Sequence, residues 1–239
     1  MSNPYDVPAR VAAYDADMDA MHPNRPKMMD AALAMLPFEP TQAFTALDLG
    51  IGTGLFTDRL LRAFPHASVI AIDLAPSMIA LAKERLGERA ARVDFRVGSF
   101  TELSSLVSMW ERGHLVVSAY ALHHLSREDK VETLRQAHRF LEPGGWCVNA
   151  DLVVAESPAL EARIQQLRVA GIVRRAGFRD ERFKDASATR AFLDDLEAKD
   201  GDRPQTLADD LAALRAAGFR DAGLVWMEHR EAVTVGVRS

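Results

Sequence analysis

Ala46-Leu47-Asp48-Leu49-Gly50-Ile51-Gly52-Thr53-Gly54 sets a short apolar strand in front of three glycines at alternate positions, and Leu55 opens a helical pattern behind them. A glycine-rich turn between a strand and a helix is where a parallel α/β sheet receives its ligand. The spacing decides what kind. A dinucleotide loop wants G-x-G-x-x-G, and Leu55 stands where its third glycine would be. Asp48, two residues before the first glycine, would be desolvated beside a pyrophosphate of the same sign. The same carboxylate suits a cation carrying an ammonium or a sulfonium. The next strand, Val69-Ile70-Ala71-Ile72-Asp73, ends in an acid 19 residues after Gly54. A carboxylate there can accept both hydroxyls of a ribose, or cap the helix that follows.

Outward from this loop, β-branched apolar runs alternate with helical patterns, the rhythm of a parallel α/β sheet. Strands are expected at Ala46–Leu49, Ser68–Asp73, Val93–Gly98, Leu115–Tyr120 and Trp146–Val153. Helices are expected at Leu55–Phe64, Pro76–Leu86, Thr101–Glu111 and Ser126–Leu141. Ser126 with Asp129, and Thr206 with Asp209, have the spacing of helix starts. Two extended runs at Ala222–Glu228 and Ala232–Val237 are too closely linked to be parallel, so the sheet should close in an antiparallel pair. Residues 1–40 are Met- and Pro-rich with one expected helix at Pro26–Leu36, and 156–200 show helical spacing without strand signal.

Composition narrows the function. The 239 residues carry 29 Lys and Arg against 34 Asp and Glu, a net charge of -5. An overall grip on phosphate backbones needs the opposite balance, which counts against nucleic acid as a partner. One cysteine, Cys147, excludes an internal disulfide and a thiolate metal cluster. The opening MSNPYDVPAR lacks the apolar stretch of a signal peptide, and no run is long enough to span a bilayer. A cytoplasmic protein, monomeric or homodimeric and away from membranes, is the expectation.

DLGIGTG, AIDLAPSM, the GSF turn, SAYALHHL and LEPGGW occur in the order and spacing of the class I S-adenosylmethionine-dependent methyltransferases, and residues 44–155 resemble that family. The resemblance implies a Rossmann-like, doubly wound α/β sheet of seven strands, six parallel and one antiparallel. A methyltransferase domain would run over 41–239, with an N-terminal helical cap at 1–40 and a helical lid inserted at about 156–200. It implies S-adenosylmethionine as donor and S-adenosylhomocysteine as product. Asp48, Gly50, Gly52 and Gly54 would line the methionine half, Asp73 would hold the ribose, and Leu74 and Met78 would pack on the adenine. Where relatives often place an acid for the adenine amino group, this chain has Gly98-Ser99-Phe100. Ser99 offers one hydrogen bond without charge, and Phe100 would stack on the ring or plug the core.

Methyl transfer asks mainly for in-line positioning in a water-poor site, and for a base where the acceptor arrives protonated. The segment that would face the methyl, Ser118-Ala-Tyr-Ala121, lacks the prolines found in relatives that methylate amino groups of bases or protein amides. That points to the O, N or C nucleophile of a small molecule. His123 and His124 are the base candidates, or pack structurally. Tyr14 would close over the sulfonium or anchor a helix. Tyr120 would meet the substrate, and Arg174, in a run of arginines at helical spacing, would grip an anionic acceptor. No set of ligands for a metal is visible, so none is expected. The alternatives are an NAD(P)-dependent oxidoreductase, an RNA-modifying protein that takes the same or a carboxylated cofactor, and a non-catalytic S-adenosylmethionine binder.

Overall fold

The computed structural model describes residues 8–177 and 180–239; the first seven residues of the opening MSNPYDVPAR lie outside them. Seven strands form one sheet in the order β3-β2-β1-β4-β5-β7-β6. They are β1 (Thr45–Leu49), β2 (Ser68–Asp73), β3 (Val93–Val97), β4 (Gly113–Ala119), β5 (Leu141–Leu152), β6 (Asp221–Glu228) and β7 (Glu231–Val237). Only β7 runs against its neighbours. Its hairpin with β6 turns at His229, which takes φ 56. The chain order reverses between β1 and β4, and a crevice opens there, beyond the carboxyl ends of both strands.

Alternation along the strands builds a core on each face. Ala46, Val69, Ala71 and Val117 pack on one side and Leu47, Leu49, Ile70, Ile72 and Val116 on the other. This two-sided burial is why the parallel strands read as nearly unbroken apolar runs. The first face is covered by α1 (Pro8–Met21), α2 (Arg25–Ala34), α3 (Leu55–Ala63) and α4 (Pro76–Leu86), the second mainly by α6 (Arg127–Phe140) and α9 (Leu207–Ala216). Ser126 and Thr206 cap the last two, accepting from the backbone N–H of Asp129 and Asp209.

Three expectations need correction. The helix expected over Thr101–Glu111 shrinks to α5 (Leu103–Leu106). The Arg96 guanidinium takes the Leu106 carbonyl at 2.6 Å and the Glu111 carboxylate at 2.6 and 3.1 Å, while Glu111 accepts the Ser108 N–H, so the backbone bonds that would continue the helix are replaced. Strand β5 starts at Leu141 rather than Trp146. Leu141 pairs with Gly113 and the ladder resumes at Leu115 with Trp146, leaving Pro143-Gly144-Gly145 as an out-of-register bulge. Helix α1 was not foreseen. Its three acids dilute the periodic signal, and it is held by distant partners, Arg10 with Asp200 and Asp17 with Arg182.

Between β5 and α9 the chain makes α7 (Pro158–Ala176) and α8 (Ala186–Asp200). Both ends of this segment are fastened side by side. Val154 forms a parallel bridge with Thr206 and donates to the Gln205 carbonyl at 3.0 Å, and Arg203 N–H bonds to the His123 carbonyl at 2.8 Å.

Candidate active site

A cavity of about 310 Å³ lies in the crevice between β1 and β4. The loop after β1 forms its floor because Gly50 can take φ +82, where a Cβ would come within 2.6 Å of the Ala121 Cβ. Gly52 N–H donates to Asp73 Oδ2 at 2.8 Å, and Ala75 N–H to Asp73 Oδ1 at 2.9 Å, so the end of β2 is tied to the glycine loop. Gly54 is different. It does not line the cavity, and a Cβ there would stand 3.1 Å from the Ala82 backbone, so its absence lets α3 pack against α4.

Of the residues singled out in the sequence, Asp48, Gly50, Gly52, Asp73, Leu74, Met78, Ser99, Phe100, Tyr14, Tyr120 and His124 all line this cavity. Leu74 is 58% exposed on its rim, an apolar side chain open to a ligand. Ser99 is engaged in its own turn, with Oγ 2.6 Å from Thr101 Oγ1. Asp48 is 2% exposed and accepts a hydrogen bond from the Thr57 hydroxyl. No ion pair among the described residues reaches it. Burial pushes its carboxyl up to about 7, against the pull of Thr57. Tyr14 is half-buried, and the loss of solvent around its phenol pushes it up to about 12.

Arg25 was missed in the sequence. It sits 4% exposed in the same wall, its terminal nitrogens 3.1 and 3.2 Å from Asp15 Oδ1 and its Nε buried with no hydrogen-bond partner. Nothing local in His22-Pro-Asn-Arg-Pro26 announces this, because the burial comes from helix packing.

At the end of β4 the backbone makes a tight turn. Tyr120 takes φ 53, in a region unusual for a residue with a side chain. Its hydroxyl donates to Glu231 Oε1 at 2.5 Å, with His22 Nδ1 3.4 Å from the same oxygen. The phenol is thereby aimed at β7, and the ring forms a wall.

His123 and His124 follow, and they part company. His123 is 4% exposed, with Nδ1 2.5 Å from Asp151 Oδ1, its backbone N–H on Asp151 Oδ2 and Nε2 3.5 Å from Asp202 Oδ1. Burial alone would lower its pKa, but the two carboxylates outweigh it and hold the ring at about 9. His123 is therefore an imidazolium at neutral pH and has no lone pair to take a proton. His124 lies in the cavity wall with Nδ1 3.0 Å from Asp202 Oδ1. Despite burial, the two histidines hold Asp202 well below the usual carboxylate range. His123, His124 and Asp202 are the one grouping among the described residues whose donor atoms lie close enough, within 4.8 Å, for a shared metal ion. The contacts at this cluster are ion pairs, His123 with Asp151 and with Asp202.

A second cavity, of about 390 Å³, shares Tyr14, Met18, Tyr120, His124 and Asp200 with the first and extends under α1, α7 and α8. His123 borders this one. Arg174 borders neither; it lines a separate cleft with His22, Arg175 and Glu228.

Residues 46–145 match the family model of a methyltransferase domain. An uncharacterized methyltransferase of Anoxybacillus flavithermus is 32% identical over 127 residues, 53% of this chain and 56% of that protein. A malonyl-[acyl-carrier protein] O-methyltransferase of Paenibacillus is 36% identical over 100 residues, 41% of this chain and 35% of the relative. Matches thus span about half or less of these relatives' length. The solved structure of the S-adenosylmethionine-dependent methyltransferase SibL, in its apo form, superposes on 100% of this chain and 63% of its own, with TM-score 0.63 and 21% identity, a likeness of fold. The strand order with its single reversed strand, the D-x-G-x-G-x-G loop at the crevice and the family match identify residues 46–145 as a methyltransferase domain, set in the fold of the class I S-adenosylmethionine-dependent methyltransferases.

Proposed function

We propose that the chain transfers a methyl group from S-adenosylmethionine to a nucleophile of a small molecule, releasing S-adenosylhomocysteine. The observation that carries this is Asp48, a buried acid without a cation at the floor of a glycine-loop cavity. It fits a ligand that brings its own positive charge, and it is a poor neighbour for the pyrophosphate of NAD(P). The buried, unpartnered Nε–H of Arg25 in the same wall fits the carboxylate of an amino-acid head. Asp73 would hold the ribose, and Leu74, Met78 and Phe100 the adenine.

When bound, the cofactor supplies a methyl on a cationic sulfur. The protein supplies position and a dry setting. Tyr120, fixed by Glu231, walls the junction of the two cavities. His124 borders that junction, its Nδ1 3.0 Å from Asp202 Oδ1, and is the side chain placed to take a proton from the acceptor. His123 and Asp151 position Asp202 rather than touch the acceptor. Residues 1–40 and 156–200 would act as cap and lid, joined across the second cavity by Arg10 with Asp200 and Arg182 with Asp17. Calorimetry with S-adenosylmethionine, S-adenosylhomocysteine and NADH tests the donor. Micromolar binding of the first two, lost in Asp73→Ala, is expected; binding of NADH alone would refute it.

A further inference from the structure

The second cavity differs from the first in how its charges are settled. Arg10 donates to Asp200 at 2.6 Å, Arg182 to Asp17 at 2.7 Å, Arg168 to Glu197 at 2.5 Å and Lys199 to Asp195 at 2.6 Å. The histidine pair shares Asp202. Among the described residues, every charged side chain bordering this chamber has a counterion of opposite sign. The surface left between these pairs is apolar and aromatic: Tyr14, Met18, Met21, Tyr120, Phe192 and Leu196. In the first cavity, by contrast, no ion pair among the described residues reaches Asp48, and the nearby Arg25 is paired with Asp15.

An ion entering a chamber whose charges are already paired loses its water and gains no partner. We infer that the second cavity takes a neutral, largely apolar acceptor presenting one hydroxyl to His124, and discriminates against analogues that carry a carboxylate or an ammonium group. This rests on the methyl-transfer reading and names the substrate class for it. The volume suits one or two rings, since 390 Å³ is room for about a dozen water molecules at ~30 Å³ each. Thioethers and aromatic rings are suited to an apolar ring. The inference replaces the anionic acceptor expected from Arg174, which lies in another cleft. A small anion such as a carboxylate-bearing acceptor would have to break one of the pairs to find a cation.

Three probes of one shape isolate charge: 4-ethylphenol, tyramine and 4-hydroxyphenylacetate. Saturation of the wild-type protein with S-adenosylhomocysteine is measured first, and equilibrium dialysis then gives the affinity for each probe at pH 7. The neutral phenol should bind at least tenfold more tightly than both charged probes. Equal affinities, a preference for either ion, or no binding of 4-ethylphenol overturns the inference. Arg10→Ala and Arg182→Ala each remove the arginine from a carboxylate in the wall. In either variant the ratio of tyramine to 4-ethylphenol affinity should move toward tyramine by about tenfold, and an unmoved ratio in both refutes the charge argument. If S-adenosylhomocysteine itself fails to bind, the donor reading falls and this inference with it. If it binds and charge makes no difference, this inference falls alone.

Discussion

Asp48→Asn should make the ligand-free protein more stable while removing its hold on the cofactor. The side chain is 2% exposed and burial pushes its carboxyl from 3.8 to about 7. A raised native pKa gives a stability contribution that is complete below the unfolded value and is lost as pH rises through the native one. Each pH unit of displacement corresponds to about 1.4 kcal/mol, so holding Asp48 ionised costs the fold about 4 kcal/mol at pH 8. At pH 5 only about 1.7 kcal/mol of that has accrued, which leaves about 2.5 kcal/mol to develop between the two. Asparagine keeps an acceptor for the Thr57 hydroxyl and has no charge to lose. Urea unfolding of both proteins at pH 5 and pH 8, without cofactor, reads the effect as the gap between variant and wild type. That subtraction cancels every other titrating group. The gap should widen by about 2.5 kcal/mol toward pH 8, or by roughly 5–10 °C in Tm for a chain of this size. A gap independent of pH would show that Asp48 titrates normally and that its burial is relieved in a way the fold does not reveal. S-adenosylmethionine should bind more tightly as pH rises through 7, and the variant should lose that dependence.

Arg25→Lys keeps a cation in the cofactor wall but loses the buried Nε–H; the dissociation constant of S-adenosylhomocysteine should rise about ten- to a hundredfold by calorimetry, and an unchanged value would remove Arg25 from the site. Lys130, 1% exposed, donates to buried Asp210 at 2.6 Å. Lys130→Met should cost about 3–5 kcal/mol in urea unfolding, and adding Asp210→Leu should recover most of it; no recovery would mean that packing, rather than an orphaned charge, sets the loss. Exhaustive dialysis against a chelator should leave methyl-transfer activity unchanged, because His123 carries a proton where a metal would sit; activity that falls and returns with a divalent ion would refute the ion-pair reading of that cluster.

The cavity at the glycine loop was legible because it is local. Asp48, Gly50, Gly52 and Asp73 belong to two strand-to-helix turns whose roles follow from spacing, and the sheet places both turns at one crevice. The second cavity and the wall it shares with the first depend on contacts across long stretches of chain. Asp202 reaches His124 from beyond α8, Glu231 reaches Tyr120 from β7, and Arg25 is buried by neighbours that no periodicity records. The two histidines show the limit well. Side by side in sequence they are equivalent, and only Asp151 and Asp202 separate an imidazolium from a ring at the junction of the cavities. The helix expected over Thr101–Glu111 failed for a more local reason: Arg96, in the strand just before it, takes the Leu106 carbonyl and the Glu111 carboxylate.

The bridge between Val154 and Thr206 brings the two ends of the α7–α8 segment next to each other, so that segment enters and leaves the sheet through one doorway. A module with adjoining ends can be exchanged without stretching the scaffold, provided the replacement closes the same gap. Asp202 and Arg203 stand on the threshold, one within ion-pair distance of the histidine side chains and the other bonded to the His123 carbonyl. A transplant cut before Asp202 would import a new acceptor chamber onto an intact transfer site. A cut after Arg203 would carry the histidines' carboxylate away with the old one, and the hybrid would inherit a shape with no chemistry behind it.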